Sequence, residues 1–255
     1  MIEARGLSKR FGETTVVEAV SFRVERGELL ALVGASGSGK TTTLKMLNRL
    51  IEPSAGSVHI AGADVARLPG HQLRRGIGYA FQQVGLFPHL TVGENIGITP
   101  RLLGWPSARI SARVLELLES MELEPALAGR SIAALSGGQA QRVGVARALA
   151  AHPDVLLLDE PFGALDPLTR DRLQRFFSDL QRRLQLTVVL VTHDMTEALL
   201  MADRIAVLQS GRLIQIGSPE GLLHAPASDY VESLMDTPRR QARVFEHLSQ
   251  GTARA

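Results

Sequence analysis

The feature that most constrains this chain is a glycine-rich loop between a short apolar run and a segment with helical spacing. The apolar run is 29–33, and the loop, Gly34 to Thr41, reads GASGSGKT. Its spacing matches the phosphate-binding pattern G-x-x-x-x-G-K-[ST], in which glycines let backbone N–H groups converge on an anion at a helix N-terminus. The sequence therefore predicts a strand, a phosphate-binding loop and a helix in succession. The alternative, a glycine-rich turn with a chance lysine, does not account for this context.

Two acidic residues end a later apolar run, 155–158. In enzymes with such a loop, an aspartate at this place holds Mg²⁺ together with the loop hydroxyl, here Asp159 and Thr41, while Lys40 would neutralise the phosphates. Glu160 is the candidate to polarise an attacking water. An ordinary acidic strand end is the alternative for an isolated pair, but the loop favours a site that takes ATP and Mg²⁺.

The order of predicted elements indicates an α/β fold. Short β-rich runs come first (2–7, 16–24, 29–33, 56–60 and 77–81), and strands alternate with helices again after residue 152. We expect a mostly parallel sheet with right-handed crossovers and an N-terminal antiparallel β subdomain. The predicted ATPase domain is 1–236, with its core at 1–83 and 152–236 and an inserted helical subdomain at 84–151. A solvated tail is expected at 237–255.

Composition and patterning exclude several classes of protein. The chain has no cysteine for a disulfide or a thiol nucleophile, and no apolar run approaches the roughly 20 residues of a spanning helix. The N-terminus lacks an apolar signal core, so we expect neither secretion nor integral membrane insertion. Lys and Arg total 28 against 26 Asp and Glu, and only 4% of residues are aromatic. Nucleic-acid binding is therefore not expected.

A second glycine-containing motif opens another predicted helix. Ser136, Gly137, Gly138 and Gln139 have the spacing of a capping box, which is one reading. The run 135–139 also resembles the signature motif of ABC ATPases, and the resemblance covers Ile2 to about Met235. It implies a head-to-tail dimer of this chain with itself or a similar subunit, in which each ATP lies between one chain's phosphate-binding loop and the other's signature motif.

The resemblance implies further roles one position at a time. Gln82 resembles the glutamine that contacts Mg²⁺ and water, and the run 163–166 resembles the loop that crosses the dimer interface. His193 resembles the histidine that contacts the γ-phosphate, although a lone histidine at a strand end is more often structural. Phe11 resembles the aromatic residue that stacks on adenine, and a core phenylalanine is the rival reading.

The expected site residues fall into three groups. The catalytic group is Glu160, His193, Gln82 and Lys40. The metal ligands are Thr41, Gln82 and Asp159. The residues expected to bind ATP are Phe11, Gly34, Ser36, Gly37, Ser38, Gly39, Lys40, Thr41, Thr42, Ser136, Gly137, Gly138 and Gln139.

In family members, the helical subdomain binds the coupling helices of the membrane permease subunits. Leu86, Phe87 and Pro88 are suited to line that groove, or to pack the subdomain core. The runs 82–89, 97–100 and 103–105 resemble ATP-binding subunits of importers for glycine betaine, choline and related quaternary amines. This implies a peripheral subunit at the cytoplasmic face of the membrane, linked to a permease and indirectly to a substrate-binding protein. The paired regulatory domains of larger relatives are not expected in 255 residues.

Three alternatives stay open. One is an importer ATPase for amino acids, polyamines or sugars. Another is a soluble ABC ATPase acting on DNA or the ribosome, which the lack of heptads, zinc motifs and a second phosphate-binding loop disfavours. The third, a nucleotide-binding protein without catalysis, is disfavoured by Glu160 and His193 together. The pair Ala133-Ala134 lacks the acidic residue that many family members have before the signature motif, so contact with the permease there is not implied.

Overall fold

A computed structural model describes residues 1–81, 85–163 and 165–251, with side chains up to residue 244. In this part of the chain the strands are β1 (Ile2–Phe11), β2 (Thr14–Val24), β3 (Leu29–Val33), β4 (Ala55–Ile60), β5 (Ala63–Asp64), β6 (Ile77–Ala80), β7 (Val155–Asp159), β8 (Thr187–Val191), β9 (Arg204–Gln209) and β10 (Arg212–Gly217). The helices are α1 (Lys40–Leu47), α2 (Gly70–Arg75), α3 (Val92–Ile96), α4 (Ile98–Leu102), α5 (Ser107–Ser120), α6 (Gly137–Leu149), α7 (Pro167–Leu184), α8 (Met195–Met201), α9 (Pro219–His224) and α10 (Asp229–Gly251).

The larger sheet has the order β10-β9-β3-β8-β7-β6 and is parallel except for the β9–β10 pair. Every residue of β3, β7 and β8 is buried. A strand covered on both faces reads as a continuous apolar run, which explains why the sequence marks these three so clearly. The α/β fold with a mostly parallel sheet is confirmed.

Successive side chains of β3 point to opposite faces of the sheet and enter two different hydrophobic cores. Leu30 and Leu32 pack with α1 and with the antiparallel sheet β2-β1-β4-β5. Leu29 and Ala31 pack instead with residues of α5, α6 and α7. The phosphate-binding loop thus leaves a strand that is fixed from both sides.

The helical region lies within the predicted insertion at 84–151. Helix α5 buries Val114, Leu117 and Leu118 along one face, as an amphipathic helix does. The N-cap of α3 is Thr91, whose hydroxyl accepts from the Glu94 N–H while the Glu94 carboxylate accepts from Thr91. These local caps define the start of short helices that propensity alone would leave marginal.

Two elements run further than the sequence predicted. Strand β1 continues to Phe11 because Gly6, with a φ of 56°, absorbs a register shift and lets the polar end keep pairing. Helix α10 continues through the segment predicted as a solvated tail, and residues 240–244 of the helix are exposed. Its first turns are anchored by Val231 and Met235, which are fully buried. No helix within the described ranges is long and apolar enough to cross a membrane.

Candidate functional site

The phosphate-binding loop is packed tightly against the backbone of two strands. Gly34 has a φ of 148° and Gly39 a φ of 96°, both in the region that favours glycine. A Cβ on Gly34 would lie 2.1 Å from the Leu208 carbonyl oxygen, and one on Gly39 would lie 2.8 Å from the Val16 carbonyl oxygen. Both glycines are therefore required by close approach as well as by conformation.

Gly34→Ala is expected to lower the free energy of unfolding by about 2–4 kcal/mol, because the clash with Leu208 adds to the strain of a nearly glycine-only conformation. Urea denaturation measures this change. The matched control is Gly62→Ala, which has a φ of 81° but no atom within 4 Å of the added Cβ. The free energy of unfolding of the control variant should fall by only about 1–2 kcal/mol. Equal losses in the two variants would contradict the packing argument.

The Lys40 ammonium is buried beneath the loop. Its Nζ donates to the Gly34 carbonyl at 2.8 Å and to the Ala35 carbonyl at 2.9 Å. Burial lowers the pKa of Lys40 below its usual value, and the charges of Glu160 and Asp159 oppose this. An ammonium has three N–H donors, so a third remains to bond an anion above the loop.

Strand β7 carries the predicted metal ligand to the first turn of α1. The Thr41 hydroxyl donates to Asp159 Oδ1 at 2.8 Å, and the Tyr79 hydroxyl lies 3.5 Å from Asp159 Oδ2. Burial raises the pKa of Asp159, which the bond from Thr41 opposes. Burial also raises the pKa of Tyr79 well above its usual value, and the nearby Asp159 adds to this. A buried carboxylate of this kind is a suitable ligand for a cation.

Glu160 and His193 meet at the carboxyl edge of the sheet. His193 Nδ1 lies 3.2 Å from Glu160 Oε2. The two residues follow β7 and β8, which are parallel neighbours with Asp159 opposite Val191. Glu160 has a φ of 48°, an uncommon value for a side chain of this kind, and its N–H donates to the Val191 carbonyl at 2.9 Å. Such strain is typical of functional positions.

A cavity of about 390 Å³ lies above the loop. Its lining comprises Val16, Ser36, Gly37, Gly39, Lys40, Thr41, Thr42, Glu160 and His193. The carboxylate, the histidine and the phosphate-binding residues thus face one space. Val16 was not predicted, because a β-branched residue in a strand carries no signal of a site. Within the loop, the buried Ser38 hydroxyl has no hydrogen-bond partner among the residues that the structure describes.

Two predicted positions, Phe11 and His193, have surroundings that bear on their alternative readings. Phe11 is 50% exposed, so the rival reading of a core phenylalanine is not supported; Lys9 Nζ lies 5.0 Å from its ring. His193 is 64% exposed on its side chain, which does not fit a purely structural histidine. Gln82, together with Ala164 of the predicted interface loop 163–166, lies outside the described residues.

The signature residues sit apart from this cavity. Ser136 and Gln139 form a reciprocal capping box at the start of α6, with N···O distances of 2.9 and 3.2 Å. No residue of 136–139 is among those that line the cavity above the loop. A Cβ on Gly137 would meet nothing within 4 Å, so the backbone there is open to an approaching surface. One chain alone does not join this motif to its phosphate-binding loop.

A separate groove of about 740 Å³ lies between the core and the helical region. Phe87 lines it, together with Phe81 and Leu102, and the lining also includes Asp159. Leu86 packs against the hydrophobic core instead, and Pro88 is not among the lining residues. Of the run 86–88, Phe87 thus lines the groove while Leu86 contributes to the core. Arg74, Arg75 and Arg147 make the groove basic.

Comparisons with known proteins identify the family of the chain. The family model described as "ABC transporter" matches residues 17–163. The choline transport ATP-binding protein OpuBA of Bacillus subtilis is 48% identical over 240 residues, which is 94% of this chain and 63% of that protein. The glycine betaine uptake system ATP-binding protein YehX of Escherichia coli is 49% identical over 96% of this chain and 80% of its own length.

A solved structure also resembles the chain. It is a dimeric ATP-binding cassette in a post-hydrolysis state, bound to ADP and Pi. The TM-score is 0.80 at 33% identity, and the match covers 86% of this chain and 99% of that one.

Proposed function

The chain belongs to the ABC transporter family, and from that premise we propose that it is the ATP-hydrolysing subunit of an importer for glycine betaine, choline or a related quaternary amine. The observation that carries the hydrolytic part is the contact between Glu160 and His193 at 3.2 Å, in one cavity with Lys40 and Thr41. A carboxylate held at the phosphate end of a nucleotide site can take a proton from water.

ATP binding is supported by the loop and its lysine. The backbone N–H groups at the start of α1 face the β- and γ-phosphates, and the third N–H of Lys40 adds a charge-assisted bond. In this proposal Ser36, Gly37, Gly39 and Thr42, which line the cavity, contact the phosphates. The buried Ser38 and Gly34 contribute to the shape of the loop. Phe11 presents a half-exposed ring on the β1–β2 hairpin, whose Val16 lines the cavity, and it stacks on adenine.

The donor set near Asp159 fits Mg²⁺. The ion prefers oxygen ligands, and the Thr41 hydroxyl and the Asp159 carboxylate lie 2.8 Å apart. These two residues, with Gln82, would hold it. When bound, Mg²⁺ neutralises charge on the β- and γ-phosphate oxygens.

Hydrolysis in this proposal is mostly positioning. Glu160 accepts a proton from the water whose oxygen attacks the γ-phosphorus, the bond to the β-phosphate oxygen breaks, and ADP leaves. His193 lies next to Glu160 and bonds the γ-phosphate. Lys40 stabilises the negative charge on the same phosphate oxygens.

Asp159→Asn is expected to raise the Mg²⁺ concentration that supports half-maximal hydrolysis at least ~10-fold, because an amide is a much weaker ligand than a carboxylate. Turnover of the purified chain during a Mg²⁺ titration measures this. The matched control is Asp154→Asn, since Asp154 is exposed just before the other end of β7. An unchanged Mg²⁺ requirement in Asp159→Asn would contradict the assignment.

A dimer completes the site. The open backbone at Gly137 and the capping box at Ser136 form a helix N-terminus that suits a phosphate of an ATP bound to a second copy. Gly138 and Gln139 lie in the same first turn. The resemblance to a dimeric cassette supports the formation of a dimer. The partner is a second copy or a similar subunit.

The transport role follows from the relatives and the groove. We propose a division into a core, 1–83 and 152–236, and a helical subdomain, 84–151, with the basic groove at Phe87 as the place where a permease docks. The chain would then lie peripherally at the cytoplasmic face of the membrane. A substrate-binding protein would act on it only through the permease.

Co-purification tests this function. The Glu160→Gln variant with ATP is used to capture partners from detergent-solubilised membranes, which are identified by mass spectrometry. We expect an integral membrane permease and a quaternary-amine-binding protein. A permease with a binding protein for amino acids, polyamines or sugars would contradict the substrate class. Recovery of only ribosomal or DNA-associated proteins would contradict transport.

A further inference from the structure

Helix α10 contacts the phosphate-binding loop, although the two residues that form the contact are 195 positions apart in the sequence. The backbone N–H of Ala35 donates to the Tyr230 hydroxyl at 2.9 Å. Tyr230 lies in the first turn of α10, and its ring packs against the core cluster that contains Val231 and Met235. A hydroxyl held by a packed ring is a fixed acceptor, in contrast to a water molecule.

The bond fixes one peptide plane of the loop. The N–H of Ala35 and the carbonyl of Gly34 belong to the same peptide, and in a trans peptide they point in opposite directions. That carbonyl accepts from Lys40 Nζ at 2.8 Å. A single peptide is therefore held between the Tyr230 hydroxyl on one side and the Lys40 ammonium on the other.

Helix α10 also reaches the other half of the site. It lines a cavity of about 570 Å³ together with His193 and Asp194, and Leu234 and Gln241 form part of its wall. The Thr196 hydroxyl lies 3.5 Å from Gln241 Oε1. The helix thus contacts both the loop under the phosphates and the segment that carries His193.

We propose that Tyr230 is a positioning residue for ATP binding: its hydroxyl orients the Gly34–Ala35 peptide, which in turn orients Lys40 towards the phosphates. This rests on the proposed function, because the role requires that ATP binds the loop. Without the hydroxyl the peptide can rotate, and the Lys40 ammonium loses one of its two acceptors. The lost bond weakens the binding of ATP in the ground state and in the transition state equally. The KM for ATP therefore rises while kcat is unchanged.

Tyr230→Phe tests the proposal, since it removes one oxygen and leaves the ring in place. We expect the Kd and the KM for ATP to rise roughly three- to tenfold, as for the loss of one neutral hydrogen bond, with kcat changed less than twofold. The Ala35 amide should exchange its hydrogen several-fold faster in the nucleotide-free protein. The matched control is Ser233→Ala, which removes an exposed hydroxyl that donates to the Tyr230 backbone carbonyl and leaves the Tyr230 hydroxyl in place.

Kd is measured with a fluorescent ATP analogue, KM and kcat by phosphate release, and amide exchange by NMR. Equal ATP affinity and equal Ala35 exchange in Tyr230→Phe and the wild type would overturn the role of Tyr230 while leaving the proposed function intact. A wild-type chain that binds no ATP would overturn the proposed function and this role with it. A lower melting temperature with unchanged KM would show a purely structural residue and would also overturn the proposal.

Discussion

Replacing Glu160 by glutamine should reduce ATP turnover by the purified chain at least ~100-fold, the lower end of what a positioned general base contributes. Glutamine keeps the size of the side chain and can still accept a hydrogen bond from His193, but it takes no proton from water at neutral pH. The loss should therefore fall on kcat, with ATP affinity nearly unchanged. Phosphate release under saturating ATP measures turnover, and a fluorescent ATP analogue measures affinity.

Glu119→Gln is the matched control, because Glu119 is an exposed glutamate on α5. It should keep wild-type turnover. The Glu160→Gln variant should also accumulate as an ATP-bound dimer, seen as an ATP-dependent shift in light scattering. A Glu160→Gln variant that keeps more than a tenth of wild-type turnover would show that another group activates the water.

Replacing Lys40 by alanine should weaken ATP binding roughly 10- to 150-fold, the range for one hydrogen bond to a charged group. The side chain is buried and its ammonium is the cation that lies directly under the loop, so no flexible surface lysine can replace it. The Gly34 and Ala35 carbonyls also lose their donor. Equilibrium binding of a fluorescent ATP analogue measures the change.

The control for Lys40→Ala is Arg67→Ala, which removes one positive charge from a side chain that is 87% exposed. It should leave ATP affinity within twofold of the wild type. Comparable loss in both variants would indicate that net charge, and not the position of Lys40, governs ATP binding. Unchanged affinity in Lys40→Ala would contradict its place in the phosphate site.

Local rules predicted the parts of the site that depend on neighbours in the chain. The strand 29–33, the glycine loop and the helix after it were predicted because the apolar run and the motif spacing are contiguous in the chain. The helix caps at Asp166 and Asp194 are equally local, since each carboxylate accepts from an N–H group two or three residues ahead. The roles of the site residues stay predictions.

Rules based on neighbours in the chain could not predict contacts between residues on distant elements of the fold. Glu160 and His193 meet because β7 and β8 are neighbours in the sheet, and no pattern in either segment gives the strand order. Val16 and Tyr230 reach the loop from β2 and α10, through a strand residue and a helix residue that look ordinary in the sequence. Phe11 stayed ambiguous because apolarity alone does not distinguish an exposed ring from a core ring.

The most direct test of the whole account is uptake of radiolabelled glycine betaine and choline by cells whose only copy of this chain is wild type, Glu160→Gln or Glu119→Gln. The account predicts that uptake falls to background in Glu160→Gln and stays at the wild-type level in Glu119→Gln. Uptake of both amines that is unaffected by Glu160→Gln, in cells that contain the variant at wild-type abundance, would contradict an importer driven by this site.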